Sequence, residues 1–254
     1  METRPTSLRL LYTAELPRLY AFAYDMCGDR EDARRFLAEL IEQTNQHAAS
    51  ILDAPAPADA LLGLFARNLE KELGRRAEQT FMILDNVLRS EITKPVDLET
   101  HGLVGDPTRV IHTLLWELKR TCLTRVMGCL PPSVRVSFIL TDILGYGPAE
   151  AADLLDIKES AYRVRLTRAR KRIEDYLTPR CYHVDRQNPC ACDGRLGIAL
   201  DARFVAPPPH ELDTPSEGWA SEPPRRDMAS LYRGLPRTLL TAEQVGDLLD
   251  RANA

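Results

Sequence analysis

The sequence is poor in aromatic residues. Phenylalanine, tryptophan and tyrosine make up 6% of its 254 residues. Leucine, alanine, arginine and glutamate are common instead, and such a composition favours helices over sheets. We therefore predict an all-α fold.

Long apolar runs are missing as well. No stretch approaches the roughly 20 apolar residues that a membrane span needs. The N-terminal segment, METRPTSLRLLYTAEL, has no extended apolar core followed by small residues, which argues against a secretory signal peptide. These absences predict a cytoplasmic protein that has no membrane partner. In a reducing cytosol, cysteines are more often free, metal-bound or redox-active than paired in structural disulfides.

The residue sets of common enzyme sites are also absent from the sequence. It contains no glycine-rich phosphate-binding loop and no recognisable pair of nucleophile and base. We therefore predict a protein that is not an enzyme. The net charge of −4 argues against a generally basic nucleic-acid binder, so a nucleic-acid interface would have to be a local basic surface.

Apolar residues at helical spacing divide the chain into segments. Gly28 predicts a helix end, Asp29 an N-cap, and Thr241 with Gln244 a capping box for a last short helix. Residues 53–59 predict a loop before a helix over 61–76. We predict an N-terminal helical domain over 1–78, a linker over 79–107, a second helical domain over 108–178, a cysteine-histidine module over 179–204, and a proline-rich linker with a short helix over 205–254.

The most specific local pattern is a predicted helix-turn-helix. A short helix over 148–155 is followed by a tight turn at 156–158 and a long helix over 159–177. Residues 158–172 carry seven basic side chains and one acidic one, a net charge of +6. In a helix-turn-helix the second helix enters the major groove of DNA, and basic residues supply the attraction to phosphates. A solvated basic surface is the alternative interpretation.

Eight residues of this segment are predicted to contact double-stranded DNA. Ser160, Arg163 and Thr167 lie nearest the start of the long helix and are best placed for base edges. The full predicted set is Lys158, Ser160, Arg163, Arg165, Thr167, Arg168, Arg170 and Lys171.

Several motifs of the chain resemble bacterial sigma factors of the extracytoplasmic-function class. The sequences LPPSVR at 130–135, GPAEAADLL at 147–155 and RLTRARKR at 165–172 are similar to the promoter-reading C-terminal domain of that class. GDREDARRFLAEL and LLGLFARNLEKELGRR are similar to its N-terminal domain. The motifs follow the family's order and extend over roughly residues 8–178. Where the family carries acidic and glutamine residues, this chain has Arg34, Arg35 and Phe36.

The resemblance implies a sigma factor that binds core RNA polymerase and directs it to promoters. It implies polymerase contacts at Asp29, Glu31, Asp32 and Glu39. It also implies contacts with the −10 element at Asn68, Lys71, Arg75 and Arg76, and it assigns the helix-turn-helix to the −35 element. Some members of the class have a C-terminal extension that regulates them in place of a separate anti-sigma factor, and this tail is similar in position. The alternative is a sigma-like decoy that binds an anti-sigma factor or DNA without initiating transcription.

A cluster of potential metal ligands follows the basic helix. Cys181, His183, Cys190 and Cys192 supply three thiolates and one imidazole, a donor set that suits structural zinc. Asn188 and Pro189 predict a turn that brings the two halves of the cluster together. A redox switch between two thiols and a set of unligated cysteines are the alternatives. The other three cysteines, Cys27, Cys122 and Cys129, are predicted to be buried core thiols.

Overall fold

The computed structural model describes residues 7–74, 81–88, 93–205, 225 and 227–252. Within these ranges the chain is all-α, as predicted, and its regular secondary structure consists of helices. None of the described helices is long and apolar enough to span a bilayer. The helices are α1 (Leu8–Cys27), α2 (Arg30–Asn45), α3 (Ala48–Leu52), α4 (Pro57–Glu72), α5 (Phe81–Leu88), α6 (Pro107–Gly128), α7 (Pro132–Phe138, continued by a π-helical turn over Ile139–Ile143), α8 (Pro148–Leu154), α9 (Glu159–Leu177), α10 (Cys192–Asp201), α11 (Met228–Arg233) and α12 (Ala242–Arg251).

The N-terminal helices begin and end largely where the capping residues predict. Gly28 follows α1 in the left-handed conformation, at φ 75°, and the Asp29 carboxylate accepts hydrogen bonds from the backbone amides of Glu31 and Asp32 at 2.8 and 2.9 Å. The predicted loop over 53–59 is wrong at its end, because α4 already begins at Pro57. Proline suits the first position of a helix, where its missing N–H leaves no hydrogen bond unmade.

The C-terminal extension contains two helices that the sequence did not predict, α10 and α11. The predicted last helix is confirmed as α12. The Thr241 hydroxyl accepts a hydrogen bond from the Gln244 amide at 3.2 Å, and the Gln244 side chain accepts one from the Thr241 amide at 3.0 Å. Most of the predicted proline-rich linker, residues 206–224 and 226, lies outside the described residues.

The N-terminal helices pack directly against the helix-turn-helix region. Helix α4 contacts α7 and α8. At Gly63 the two backbones approach so closely that an added Cβ would lie 2.9 Å from the carbonyl oxygen of Leu154. The Arg67 guanidinium donates a hydrogen bond to that same carbonyl. Glycine at this position therefore lets α4 and α8 touch.

A buried arginine also joins the N-terminal helices to the helix-turn-helix region. Arg135 in α7 is 1% exposed, and its guanidinium donates hydrogen bonds to the carbonyl of Met26 near the end of α1. It also donates to the carbonyls of Gly128 and Leu130, at 3.0 and 3.1 Å. Carbonyls at helix ends lack partners within their own helix. Arg135 thus satisfies the end of α6 while it holds α1 in place.

A second buried network joins three parts of the chain. Glu117 in α6 accepts hydrogen bonds from Arg120 at 2.6 Å and from Arg30, at the start of α2, at 3.1 Å. Arg120 also donates to the hydroxyl of Thr238 in the C-terminal extension, at 3.0 Å. Charges buried in pairs and fully hydrogen-bonded are tolerated, whereas removal of one partner leaves a costly unpaired charge. This network therefore fixes the extension and the N-terminal helices to α6.

Candidate nucleic-acid interface

The helix-turn-helix is formed by α8, the turn after it, and α9. Asp156 in the turn has a positive φ of 53°, and the amide of Ile157 bonds to the Ala152 carbonyl at 3.0 Å. Tyr162 anchors α9 to the helix beneath it, because its buried hydroxyl donates to the Ser137 carbonyl at 2.8 Å. The Thr141 hydroxyl lies 2.8 Å from the Tyr162 hydroxyl oxygen. These contacts determine which face of α9 is turned outward.

Most of the predicted DNA contacts lie on the outward side of α9. The exposed members are Lys158, Ser160, Arg163, Thr167, Arg168, Arg170 and Lys171, whereas Arg165 is partly buried. The buried side of the helix carries Tyr162, Leu166, Ala169 and Ile173. Polar and basic side chains are therefore presented to solvent along the helix that the sequence assigns to the major groove.

Three of the predicted arginines are engaged with carboxylates. Arg170 forms two hydrogen bonds, of 2.8 and 2.7 Å, with Asp142, whose side chain is 7% exposed. Arg165 lies 3.1 Å from Glu70 in α4. Arg163 contacts Glu159 one turn earlier, at 2.6 Å. Arg170 consequently has a structural role that helical spacing alone did not reveal, while Arg168 is exposed.

Comparison with known protein families concerns this same region. Residues 120–173 match the family model described as Sigma-70, region 4. The match extends from within α6 to near the end of α9, so it contains the helix-turn-helix. It supports a sigma factor-like DNA-binding role in transcription, and domains of this family are not enzymes. Searches of curated proteins and of solved structures found no match.

The predicted −10 contacts lie partly on a cleft between α2 and α4. Asn68 and Lys71 line this cleft, which has a volume of about 220 Å³, whereas Arg75 and Arg76 lie outside the described residues. The Asn68 side-chain amide donates to the Gln43 side-chain oxygen at 2.6 Å. The cleft is lined by Phe36, Glu39, Leu40, Gln43, Phe65, Asn68, Leu69, Lys71 and Glu72.

The four predicted polymerase contacts lie at the N-cap of α2, in its first turn and just past its middle. Asp29 is occupied as the N-cap, as described above. Asp32 and Glu39 both form ion pairs with Arg35, at 2.8 and 2.9 Å. Glu31 and Glu39 line a groove between α2 and α12. The negative charge of Asp32 and Glu39 is thus partly neutralised by Arg35, an arginine that the resemblance does not provide for.

Helix α12 lies along α2 and also contacts α1. Arg251 pairs with Glu42 at 3.1 Å, and its carbonyl accepts a hydrogen bond from the Asn45 side chain at 3.0 Å. Leu248, 6% exposed, is the buried apolar residue of α12. Helix α12 therefore covers part of the surface of α2, the helix that the resemblance assigns to polymerase binding.

The predicted metal ligands are close together in the chain's fold. Cys181 and Cys190 are paired through their backbones, since the Tyr182 amide bonds to the Cys190 carbonyl at 3.2 Å and the Cys190 amide to the Arg180 carbonyl at 3.1 Å. The Cys192 sulfur lies 3.6 Å from Nε2 of His183. Asn188 closes the predicted turn by donating to the carbonyls of Thr178 and Cys181, at 2.7 and 2.9 Å. In the described part of the chain, however, no three cysteine, histidine or acidic side chains are grouped so that they could hold a metal ion.

Cys122 is a member of this cluster that the sequence did not identify. Burial raises its pKa well above the ordinary value, and the neighbouring Cys190, Cys192 and Cys181 raise the pKa further. Burial also raises the pKa of Cys181 to about 11 and lowers that of His183 to about 3. Helix α6, which carries Cys122, packs against α10. Sequence spacing gave no signal, because Cys122 is far from the other thiols along the chain.

Arg168 and Arg170 provide a matched pair of test residues on α9. We expect Arg168→Ala to weaken binding to an arbitrary DNA duplex several-fold and to lower the salt slope by about one, because one phosphate contact is lost. The free energy of unfolding of the Arg168→Ala variant should equal that of the wild type. Arg170→Ala should lower that free energy by about 2 kcal/mol, because Asp142 is left buried without its partner. Fluorescence anisotropy and urea unfolding measure the two effects, and the opposite assignment of effects would contradict this orientation of α9.

Proposed function

We propose that the chain is a sigma factor that directs core RNA polymerase to specific promoters and enables initiation. The observation that carries the proposal is the outward face of α9, which lies within the residues that match sigma-70 region 4. In this proposal α9 reads the −35 element in the major groove. Arg163 and Arg168 flank the outward face and are available for base or phosphate contacts once Glu159 releases Arg163.

The cleft between α2 and α4 supports the second half of the proposal, which is contact with the −10 element. A base that leaves the duplex needs a pocket with hydrogen-bonding groups and apolar walls. Asn68, Gln43 and Lys71 supply polar groups there, and Leu40 and Leu69 supply apolar walls. We therefore propose that this cleft receives the separated strand.

Promoter binding requires α4 and α9 to move apart. The names of the two elements place them about 25 base pairs apart, which at roughly 3.4 Å per base pair corresponds to roughly 85 Å of duplex. Glu70 in α4 and Arg165 in α9 form an ion pair at 3.1 Å. The backbones of α4 and α8 also approach closely at Gly63. The described arrangement is therefore proposed as the closed form of the free chain. Binding of polymerase and DNA would supply the free energy that shifts the population to an open form.

The C-terminal extension is proposed to favour the closed form. Helix α12 lies on α2, and Thr238 belongs to the buried network of Arg120 and Glu117. Polymerase would have to displace α12 in order to reach the part of α2 beneath it. The extension would thus act as an intramolecular inhibitor of polymerase binding.

Transcription with purified core polymerase tests the proposal. On templates with randomised −10 and −35 elements, the intact chain should yield run-off products that share a common promoter. Leu248→Asp should raise the yield several-fold, because a carboxylate cannot remain at the buried contact with α2. Val104→Asp is the matched control, since Val104 is 94% exposed and its replacement should leave the yield unchanged.

The same assay separates the alternative function, a sigma-like decoy. The pairing of Asp32 and Glu39 with Arg35 favours that alternative, since it removes free negative charge from α2. If neither the intact chain nor Leu248→Asp gives a product while the chain still binds DNA, the sigma factor assignment is wrong and the decoy is supported.

The cysteine-histidine module is proposed to hold structural zinc once its side chains turn toward a common centre, since no three of them are grouped for a metal ion in the described arrangement. The support is the donor chemistry of Cys181, His183, Cys190 and Cys192, and the 3.6 Å approach of the Cys192 sulfur to His183. Bound zinc would stabilise a segment that is too short to form its own core. Purified protein should contain about one zinc ion per chain, and Cys190→Ser should contain much less and unfold at a lower temperature. A metal-free wild-type protein would contradict the proposal and favour the redox alternative.

A further inference from the structure

An apolar residue occupies the middle of the outward face of α9. Val164 is 49% exposed, and it is the one exposed large apolar side chain among the residues of this helix. At about 100° per residue, Ser160, Val164, Thr167 and Lys171 form the stripe opposite the buried residues Tyr162, Leu166, Ala169 and Ile173. Val164 is therefore among the side chains of α9 farthest from the core.

Neither packing nor helix formation explains a valine at this position. A valine that is 49% exposed gains little burial energy, and its branched side chain is a poorer helix former than the arginines and lysines around it. Arg163 and Arg168 lie on either side of the outward stripe, so Val164 is a small apolar spot bordered by positive charge. Basic flanks attract phosphates, and they would hold the apolar spot against the groove between the two strands.

The major groove offers an apolar group that matches this spot. Thymine alone among the four bases presents a methyl group there, and small apolar side chains contact it. Val164 lies in the N-terminal half of α9, the part of a recognition helix that meets base edges. The neighbouring Thr167 hydroxyl donates to the Arg163 carbonyl at 2.8 Å, so that hydroxyl is already used within the helix.

We propose that Val164 determines promoter specificity by contacting the methyl group of one thymine in the −35 element. This inference rests on the proposed function, because it requires α9 to enter the major groove. The side chain is about half exposed and lies opposite the buried face of α9, so its contribution is to the choice of base more than to folding.

The test replaces thymine by deoxyuridine, which removes only the methyl group. A −35 duplex is first selected from a random library with the intact chain bound to core polymerase. Each thymine of the selected duplex is then replaced in turn, and dissociation constants are measured for the wild type, Val164→Ala and Val164→Thr. Val164→Thr keeps the branched shape of the side chain but exchanges a methyl group for a hydroxyl.

We expect one thymine at which deoxyuridine weakens wild-type binding about three- to fivefold. At that position Val164→Ala should bind the two duplexes equally, and Val164→Thr should discriminate less than the wild type. All three proteins should unfold at nearly the same temperature, because Val164 is exposed. The inference is overturned if deoxyuridine affects wild type and Val164→Ala equally at every position, or if no thymine is selected. If the library yields no common sequence at all, the proposed function fails and the inference fails with it.

Discussion

The packing of the N-terminal helices against the helix-turn-helix region depends on the hydrogen bonds of the buried Arg135 guanidinium. A charged group 1% exposed requires several hydrogen bonds, and Arg135 finds them at carbonyls near the ends of α1 and α6. Pro132 begins α7, the helix that carries Arg135. Arg135 is the last residue of the LPPSVR motif of the DNA-binding domain, and it also holds the N-terminal helices against that domain.

The two proposed functional surfaces, on α9 and on α2, differ in their exposure to solvent. The outward stripe of α9 is exposed in the closed form, so DNA can approach it before α4 and α9 separate. The surface of α2, in contrast, is partly occupied by α12 and neutralised in part by Arg35. If the chain is a sigma factor, its tail therefore controls access of polymerase more than access of DNA. The buried network of Glu117, Arg120 and Thr238 links the tail to the same interface.

The fold was largely predictable because its signals are local. Caps at Asp29 and Thr241 and the tight turn before α9 depend on a few neighbouring residues, and all are found where the sequence places them. The beginning of α4 is not evident from the sequence, because the alternating prolines and alanines of 53–59 indicate a loop although Pro57 can start a helix. Helices α10 and α11 gave no strong periodicity and depend on packing against the core.

The candidate site was less predictable, because its geometry depends on residues far apart in sequence. Nothing near Arg170 or Arg165 in the sequence indicates Asp142 or Glu70 as partners. The position of Cys122 beside the thiol cluster and the placement of α12 on α2 are likewise tertiary contacts. Helical spacing identified the basic helix correctly, but only the packed structure separates arginines that face DNA from those that hold the protein together.

Binding of promoter DNA and polymerase is proposed to separate α4 from α9. The direct measurement is the distance between spin labels on non-canonical amino acids at Glu72 and Glu174, both exposed, by pulsed electron paramagnetic resonance. We expect a short distance in the free chain and a distance longer by several tens of ångströms in the complex with core polymerase and promoter DNA, because the two elements are roughly 85 Å apart. An unchanged distance in a complex that initiates transcription would contradict it.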